Sequence, residues 1–263
     1  MPLLSAGPVT LHYERSGDGP PLILIPGWTL NLHLWDETVR DLGGRFDVIR
    51  YDPRGAGRST ADPRLEFSRP ADAEDLLGLM DGLGLTAAHL VGHSKGARIA
   101  AVFAMTHPGR VLSLTCLGSA EPHGPSGEPS FRPIASAWAA KARELARSQG
   151  PEAALRSLSG ARLFGKIRAN PDGMRRLRSA MEGYRAADLL SEVPARAFDT
   201  SRAAEAFTMP VHYVCGEEDP FLSECRGAHA AVRGSRLTVL PRCGHMAPIE
   251  RPAELAAAIA AFS

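Results

Sequence analysis

Short apolar runs alternate with longer stretches of helical periodicity along most of this chain. Runs at Leu22–Ile25, Phe46–Ile49, His89–Val91, Val111–Leu114, Val211–Val214 and Leu237–Leu240 have the length of strands. Several are apolar throughout, as strands buried on both faces are. Between them the spacing predicts helices near Leu34–Leu42, Ala71–Leu83, Ala97–His107, Leu222–Val232 and Ala253–Phe262. Alternation of this kind calls for an α/β fold, with a mostly parallel central sheet and helices on both faces.

The rhythm breaks between about Ala120 and Met209, where no strong strand signal appears and Pro, Gly, Ser, Ala and Arg dominate. This reads as an inserted helical cap over 120–209, which divides the core domain into 1–119 and 210–263. A Pro- and Gly-rich loop, Glu121–Pro133, opens it, and helical stretches follow around Ile134–Ser148, Glu152–Ser159, Gly173–Tyr184 and Ser201–Phe207. Met174, Leu177, Met181 and Tyr184 recur at helical spacing and are expected on the underside of the cap, which would also roof a pocket. The arginines of this segment read as a solvated face.

Composition narrows the partners. Lys plus Arg number 30 against 29 Asp plus Glu, for a formal charge of +1. No global field favours nucleic acid or an anionic membrane, and a small-molecule substrate fits this balance. Met1–Tyr13 lacks a basic region followed by a long apolar run, and no segment reaches the length of a membrane span. A soluble, unexported, cytoplasmic protein is therefore expected. Cys116, Cys215, Cys225 and Cys243 lie far apart without CxxC spacing, which favours reduced, mostly buried thiols over a zinc site. Gly55-x-Gly57 is too short for a dinucleotide motif, so neither cofactor nor metal is expected.

The chemistry centres on Gly92-His93-Ser94-Lys95-Gly96, which follows the apolar run Ala88–Val91 and precedes a helix-like stretch, Ala97–Ala104. A turn that lifts a serine hydroxyl onto its crest crowds the backbone on both flanks, and glycine relieves that crowding. An acyl-transfer serine needs a base for its proton and a third group to hold that base. Downstream, Asp219 lies in Gly216-Glu217-Glu218-Asp219-Pro220 and His245 in Cys243-Gly244-His245-Met246-Ala247-Pro248, each just past a predicted strand.

The order serine, acid, histidine resembles that of the α/β-hydrolase family. Pro26-Gly27-Trp28 is similar to the family's oxyanion loop, and Tyr51-Asp52-Pro53-Arg54-Gly55-Ala56-Gly57-Arg58-Ser59 resembles its Asp-x-Arg-Gly-x-Gly-x-Ser segment. Gly244-His245, followed by Glu250-Arg251-Pro252 and a last helix, resembles its C-terminal pattern. These pieces span nearly the whole chain outside the cap.

The resemblance implies the α/β-hydrolase fold, with Ser94 as nucleophile, His245 as general base and Asp219 as the acid. Glu121 occupies another place where some relatives keep their acid. Backbone N–H groups of Trp28 and Lys95 are implied as the oxyanion hole. Asp52 and Arg54 are expected to be architectural and His93 to be a supporting side chain. Trp28 is either a pocket wall or core, whereas amphipathic spacing puts Trp35 in the core with Leu34 and Val39.

A serine disfavours the branch with an aspartate nucleophile, which includes haloalkane dehalogenases and epoxide hydrolases. Length and cap placement are most similar to small esterases and enol-lactonases, so ester or lactone hydrolysis through an acyl-enzyme is expected. The same groups also serve carbon–carbon bond hydrolases, cofactor-free lyases, acyltransferases and ligand-sensing receptors of this fold. Lys95 departs from the apolar residue common after the nucleophile, and a cation at a helix N-terminus opposes the helix dipole. Three outcomes are open for its ammonium: pairing with an acid such as Glu121, reaching the cavity to attract a carboxylated substrate, or snorkelling to solvent.

Overall fold

The computed structural model describes residues 2–119, 132–160 and 162–263. Its strands, in chain order, are β1 (Leu3–Ala6), β2 (Val9–Ser16), β3 (Pro21–Ile25), β4 (Asp47–Tyr51), β5 (Ala88–His93), β6 (Val111–Leu117), β7 (Val211–Gly216) and β8 (Arg236–Leu240). They form one sheet in the order β1-β2-β4-β3-β5-β6-β7-β8. The pairings β1–β2 and β2–β4 are antiparallel, and all pairings from β4 through β8 are parallel.

The six apolar runs of the sequence are β3 to β8. β1 and β2 carry no such signal, because they lie toward one edge of the sheet and mix exposed with buried positions. Val9 and Leu11 are buried while Arg15 and Ser16 face outward in the polar end of β2.

Helices flank the sheet as α1 (Asp36–Leu42), α2 (Arg69–Gly82), α3 (Lys95–Thr106), α10 (Leu222–Ala231), α11 (Ala247–Glu250) and α12 (Pro252–Ala260). Between β6 and β7 the chain forms α4 (Arg132–Gln149), α5 (Pro151–Ser159), α6 (Gly165–Arg168), α7 (Pro171–Met181), α8 (Ala187–Leu190) and α9 (Ala203–Ala206). α2 starts where Ser68 accepts from the Ala71 N–H at 3.2 Å and Pro70 occupies the first turn, a combination that satisfies one of the free first-turn donors. The loop expected over Glu121–Pro133 falls outside the described residues as far as position 131, and Arg132 and Pro133 open α4.

Period-two alternation divides the core between the sheet's faces. Ile23 and Ile25 pack with Leu76, Leu79, Phe103 and Tyr213, under α2 and α3. Leu22 and Leu24 of the same strand pack on the opposite face with Trp35, Leu255 and Ile259. Each such aliphatic side chain, fully withdrawn from water, contributes about 1.5–3 kcal/mol before entropy is counted. Trp35 is fully buried there beside Leu34, with Val39 packed against the same cluster.

The stripe Met174, Leu177, Met181 and Tyr184 does not stay on one surface. Leu177 and Met181 join the Leu22 face with Met174 against it, whereas Tyr184 enters a third cluster with Ala142, Leu158 and Leu189. Helix α7 stops at Met181, and Gly183 follows at φ 79, where an added Cβ would stand 2.5 Å from the carbonyl oxygen of Gly57. That close approach turns the chain and carries Tyr184 away from the helical stripe. No described helix is long and apolar enough to cross a membrane, and all four cysteines are buried thiols.

Candidate active site

Ser94 stands between the last residue of β5 and the first of α3, at φ 53 and ψ −114. This is a strained conformation for a residue with a Cβ, and it persists only where neighbours over-determine it. The crowding is specific. A Cβ on Gly92 would stand 2.3 Å from the carbonyl oxygen of Gly96, and one on Gly96 would stand 2.2 Å from that of Ile25. Both flanking glycines are thus required by backbone contact, and the Ser94 N–H is tied to the Leu117 carbonyl at 2.8 Å.

His245 and Asp219 meet. The imidazole Nδ1 lies 2.9 Å from Asp219 Oδ2, with both side chains almost fully buried. The other oxygen, Oδ1, accepts from the Phe221 N–H at 2.9 Å, which fixes the carboxylate in place. The two acids before it are engaged elsewhere: Glu217 accepts from the Arg242 N–H at 3.0 Å and Glu218 pairs with Lys166. Glu121, the other expected acid position, lies outside the described residues. Gly118, at φ 62, passes so close that a Cβ would stand 3.0 Å from Asp219 Oδ2 and 3.1 Å from His245 Nδ1.

The loop around His245 is braced on both sides. Glu250 accepts from the Gly244 N–H at 2.7 Å and from the Met246 N–H at 3.1 Å. His93 Nε2 lies 3.0 Å from the His245 carbonyl oxygen, and because a carbonyl only accepts, this nitrogen carries the proton. Burial, followed by the neighbouring His245, pushes His93 down to about 3, so the ring is neutral. Its Nδ1 is buried without a hydrogen-bond partner, and it is the atom a Cβ on Gly27 would strike at 2.8 Å.

Ser94 and His245 line one cavity with Trp28, Leu30, Trp138, Leu158, Leu163, Phe164 and Met246. Trp28 therefore forms a wall of this space, and Thr29 beside it holds a positive φ of 66. A second cavity adjoins across the same loop, lined by Trp28, Arg54, Lys95, Tyr184 and Asp188 among others. Lys95 borders it, and its ammonium is paired with Asp72 of α2 at 2.9 Å, an acid the sequence did not single out. The charge placed after Ser94 is thereby neutralised from the neighbouring helix.

Asp52 and Arg54 hold the loop over 51–59 together. Asp52 accepts from the backbone N–H groups of Leu32 and Arg58, each at 2.9 Å, and its Oδ2 lies 2.9 Å from His12 Nδ1. Arg54 forks onto Asp75 through two 2.6 Å bonds and donates to the carbonyls of Glu66 and Ala71. Neither residue contributes to the cavity that holds Ser94.

Three contacts at the site left no sequence signal: His93 with the His245 carbonyl, Lys95 with Asp72, and the Trp28 indole with Asp188. Each joins ordinary polar residues that only the fold brings together. The glycine pair Gly27 and Gly118 was the nearest available clue, since Gly27 lies against His93 and Gly118 against His245.

Among known proteins, a fluoroacetate dehalogenase from a Burkholderia species is 38% identical over 119 residues, covering 44% of this chain and 39% of that protein. The chain thus matches well under half the length of that curated relative. Among solved structures, a thermophilic esterase from Thermogutta terrifontis superposes with a TM-score of 0.82 at 26% identity, covering 98% of this chain and 95% of that one. The enol-lactonase from Burkholderia xenovorans LB400 superposes at 0.80 with 24% identity, covering 99% of each chain; at that identity the likeness is one of fold. The model of the alpha/beta hydrolase fold family matches residues 20–252, which take in β3 to β8 and the helices from α1 to α11, and the chain belongs to that family.

Proposed function

We propose that this protein is a serine hydrolase that cleaves an ester or lactone of a small molecule through an acyl-enzyme. The observation that carries the reading is the 2.9 Å contact between His245 Nδ1 and Asp219 Oδ2, made by a histidine that lines one cavity with a serine held at positive φ. Residues 120–209 act as a cap whose helices supply Trp138, Leu158, Leu163 and Phe164 to that cavity. Its apolar lining suits a substrate with an apolar acyl or ring portion.

Asp219 takes the hydrogen bond from Nδ1–H, which leaves Nε2 of His245 free to accept the Ser94 proton. Attack of Oγ on the carbonyl carbon places negative charge on the carbonyl oxygen, where the backbone N–H groups of Trp28 and Lys95 receive it. The Lys95 N–H belongs to the first turn of α3, where helical N–H groups lack an intrahelical acceptor. His245 then protonates the departing alcohol, and a water activated by the same nitrogen hydrolyses the acyl-serine.

The likeness to a dehalogenase does not extend to its reaction in this reading. Displacement of halide by Ser94 would leave a serine ether, in which the carbon bonded to the serine oxygen is not a carbonyl carbon that the next water could attack to release it. Initial rates of wild type and Ser94→Ala on p-nitrophenyl esters of rising chain length, with several lactones, test the proposal. Turnover by wild type that vanishes in Ser94→Ala is expected; equal rates for the two proteins would overturn it.

A further inference from the structure

Trp28 and the residues after it are fastened to the inserted helices at two places. The Trp28 indole N–H donates to Asp188 Oδ2 at 2.5 Å, and the Tyr184 hydroxyl donates to Oδ1 of the same carboxylate at 2.7 Å. The indole also meets Trp138 of α4 edge-on, with ring centroids 5.8 Å apart and planes at 88°. Three residues along, the Asn31 N–H donates to the Ala180 carbonyl at 2.7 Å, and its side-chain amide donates to the carbonyls of Ser179 and Glu182. Between these fastenings Thr29 sits at φ 66, a conformation a threonine keeps only when the surroundings impose it.

The carboxylate at position 188 suits this junction because its two oxygens accept from two donors at once without offering a proton. Burial, and then Asp188 itself, raise the Tyr184 phenol well above its ordinary range, so Tyr184 remains a donor. With both oxygens engaged, Asp188 has a fixed orientation. The indole is then held at its nitrogen by Asp188 and packed against Trp138 in a T-shaped contact.

We propose that Asp188 is a positioning residue for the hydrolysis. By gripping the far end of the Trp28 side chain, it sets the direction of the Trp28 backbone N–H, so that the inserted helices complete the oxyanion hole as well as roofing the pocket. The inference rests on the acyl-enzyme reading given above. A donor aimed at a developing oxyanion must be held to a fraction of an ångström, and a loop with a strained threonine does not hold such a direction unaided.

The test compares Trp28→Phe, Asp188→Ala, Asp188→Asn and the double variant Trp28→Phe/Asp188→Ala with wild type on p-nitrophenyl acetate. A small aliphatic trifluoromethyl ketone serves as inhibitor, since its adduct with Ser94 carries the same oxyanion. Each of Trp28→Phe and Asp188→Ala is expected to lower kcat by about tenfold to a hundredfold, with KM little changed and ketone inhibition weakened in step. The double variant should be no slower than the slower single one, because one linkage is cut twice. Asp188→Asn keeps one acceptor oxygen and should recover part of the loss.

A lowered thermal midpoint with kcat intact would show that Asp188 merely secures the helices, and would overturn the proposal. Independent, multiplying losses in the double variant would overturn it too. If Ser94→Ala abolishes turnover while Asp188→Ala matches wild type, the positioning role alone fails; if Ser94→Ala remains active, the acyl-enzyme and the positioning role fail together.

Discussion

His93 Nε2 donates to the carbonyl oxygen of His245 across 3.0 Å, so the residue before the proposed nucleophile holds the backbone of the proposed base. The two rings lie with centroids 4.8 Å apart. A protonated His93 beside His245 would be both desolvated and repelled, and the geometry requires the neutral ring.

This makes stability depend on pH. Burial lowers His93 from 6.5 to about 3, so between those values the unfolded chain binds a proton that the folded chain refuses. Stability is complete above the unfolded value and is lost as pH falls below it, at about 1.4 kcal/mol per pH unit for this one proton. His93→Gln retains an N–H for the carbonyl and removes the titration. Urea unfolding between about pH 7 and about pH 4.5 should show wild type losing stability faster than His93→Gln. His212, lowered to about 4 by burial, adds the same dependence to both proteins and cancels; parallel curves would refute the expectation.

Strain at Ser94 gives a second prediction. At φ 53 and ψ −114 a side chain costs about 1–3 kcal/mol, which glycine escapes at the expense of greater freedom in the unfolded chain. Ser94→Gly should therefore be more stable than Ser94→Ala by about 1 kcal/mol, with hydrolysis absent from both. Denaturant midpoints of the two variants, measured side by side, check this; Ser94→Gly at or below Ser94→Ala would contradict it.

The pair Arg54 and Asp75 is structural and deeply placed, with each side chain 3% exposed. Asp75→Ala strands a guanidinium in the interior and should cost about 3–5 kcal/mol. Replacing both residues by apolar ones of similar size, Arg54→Met with Asp75→Leu, should restore most of that loss, since no charge is then left unpaired. Urea midpoints of the single and double variants decide the matter, and equal losses in the two would count against it.

Lys95 and Asp72 lead to a prediction about selectivity. The acid is 2% exposed and the lysine 27%, so Lys95→Met strands the carboxylate and should destabilise by about 1–3 kcal/mol. Because Asp72 already neutralises the ammonium, the ratio of rates on neutral and carboxylated esters should not change. A fall in that ratio's preference for the carboxylated ester would assign Lys95 to the substrate instead.

Legibility of the chain in sequence followed burial. Runs buried on both faces, such as Leu22–Ile25 and Val211–Val214, announce themselves without alternation, whereas β1 and β2 pair at an edge and carry mixed residues. Four-residue helices such as α6 and α8 are too short to show a period. The stripe ending at Tyr184 misled for a related reason: periodicity continued past Met181, but the helix did not, because Gly183 meets the backbone of Gly57.

At the site, the sequence by itself determined the local devices: an α/β succession, two glycines around Ser94 that backbone contact demands, and a histidine and an aspartate each placed beyond a strand's end. These depend on residues near one another along the chain, where steric rules act directly. Tertiary structure brought Asp219, the acid the resemblance implied, to 2.9 Å from His245, and it alone decided that Asp72 answers Lys95 and that Asp188 reaches Trp28. Such partners are separated by tens of residues, and a carboxylate in sequence carries no mark of which cation or donor the packing of helices will bring against it.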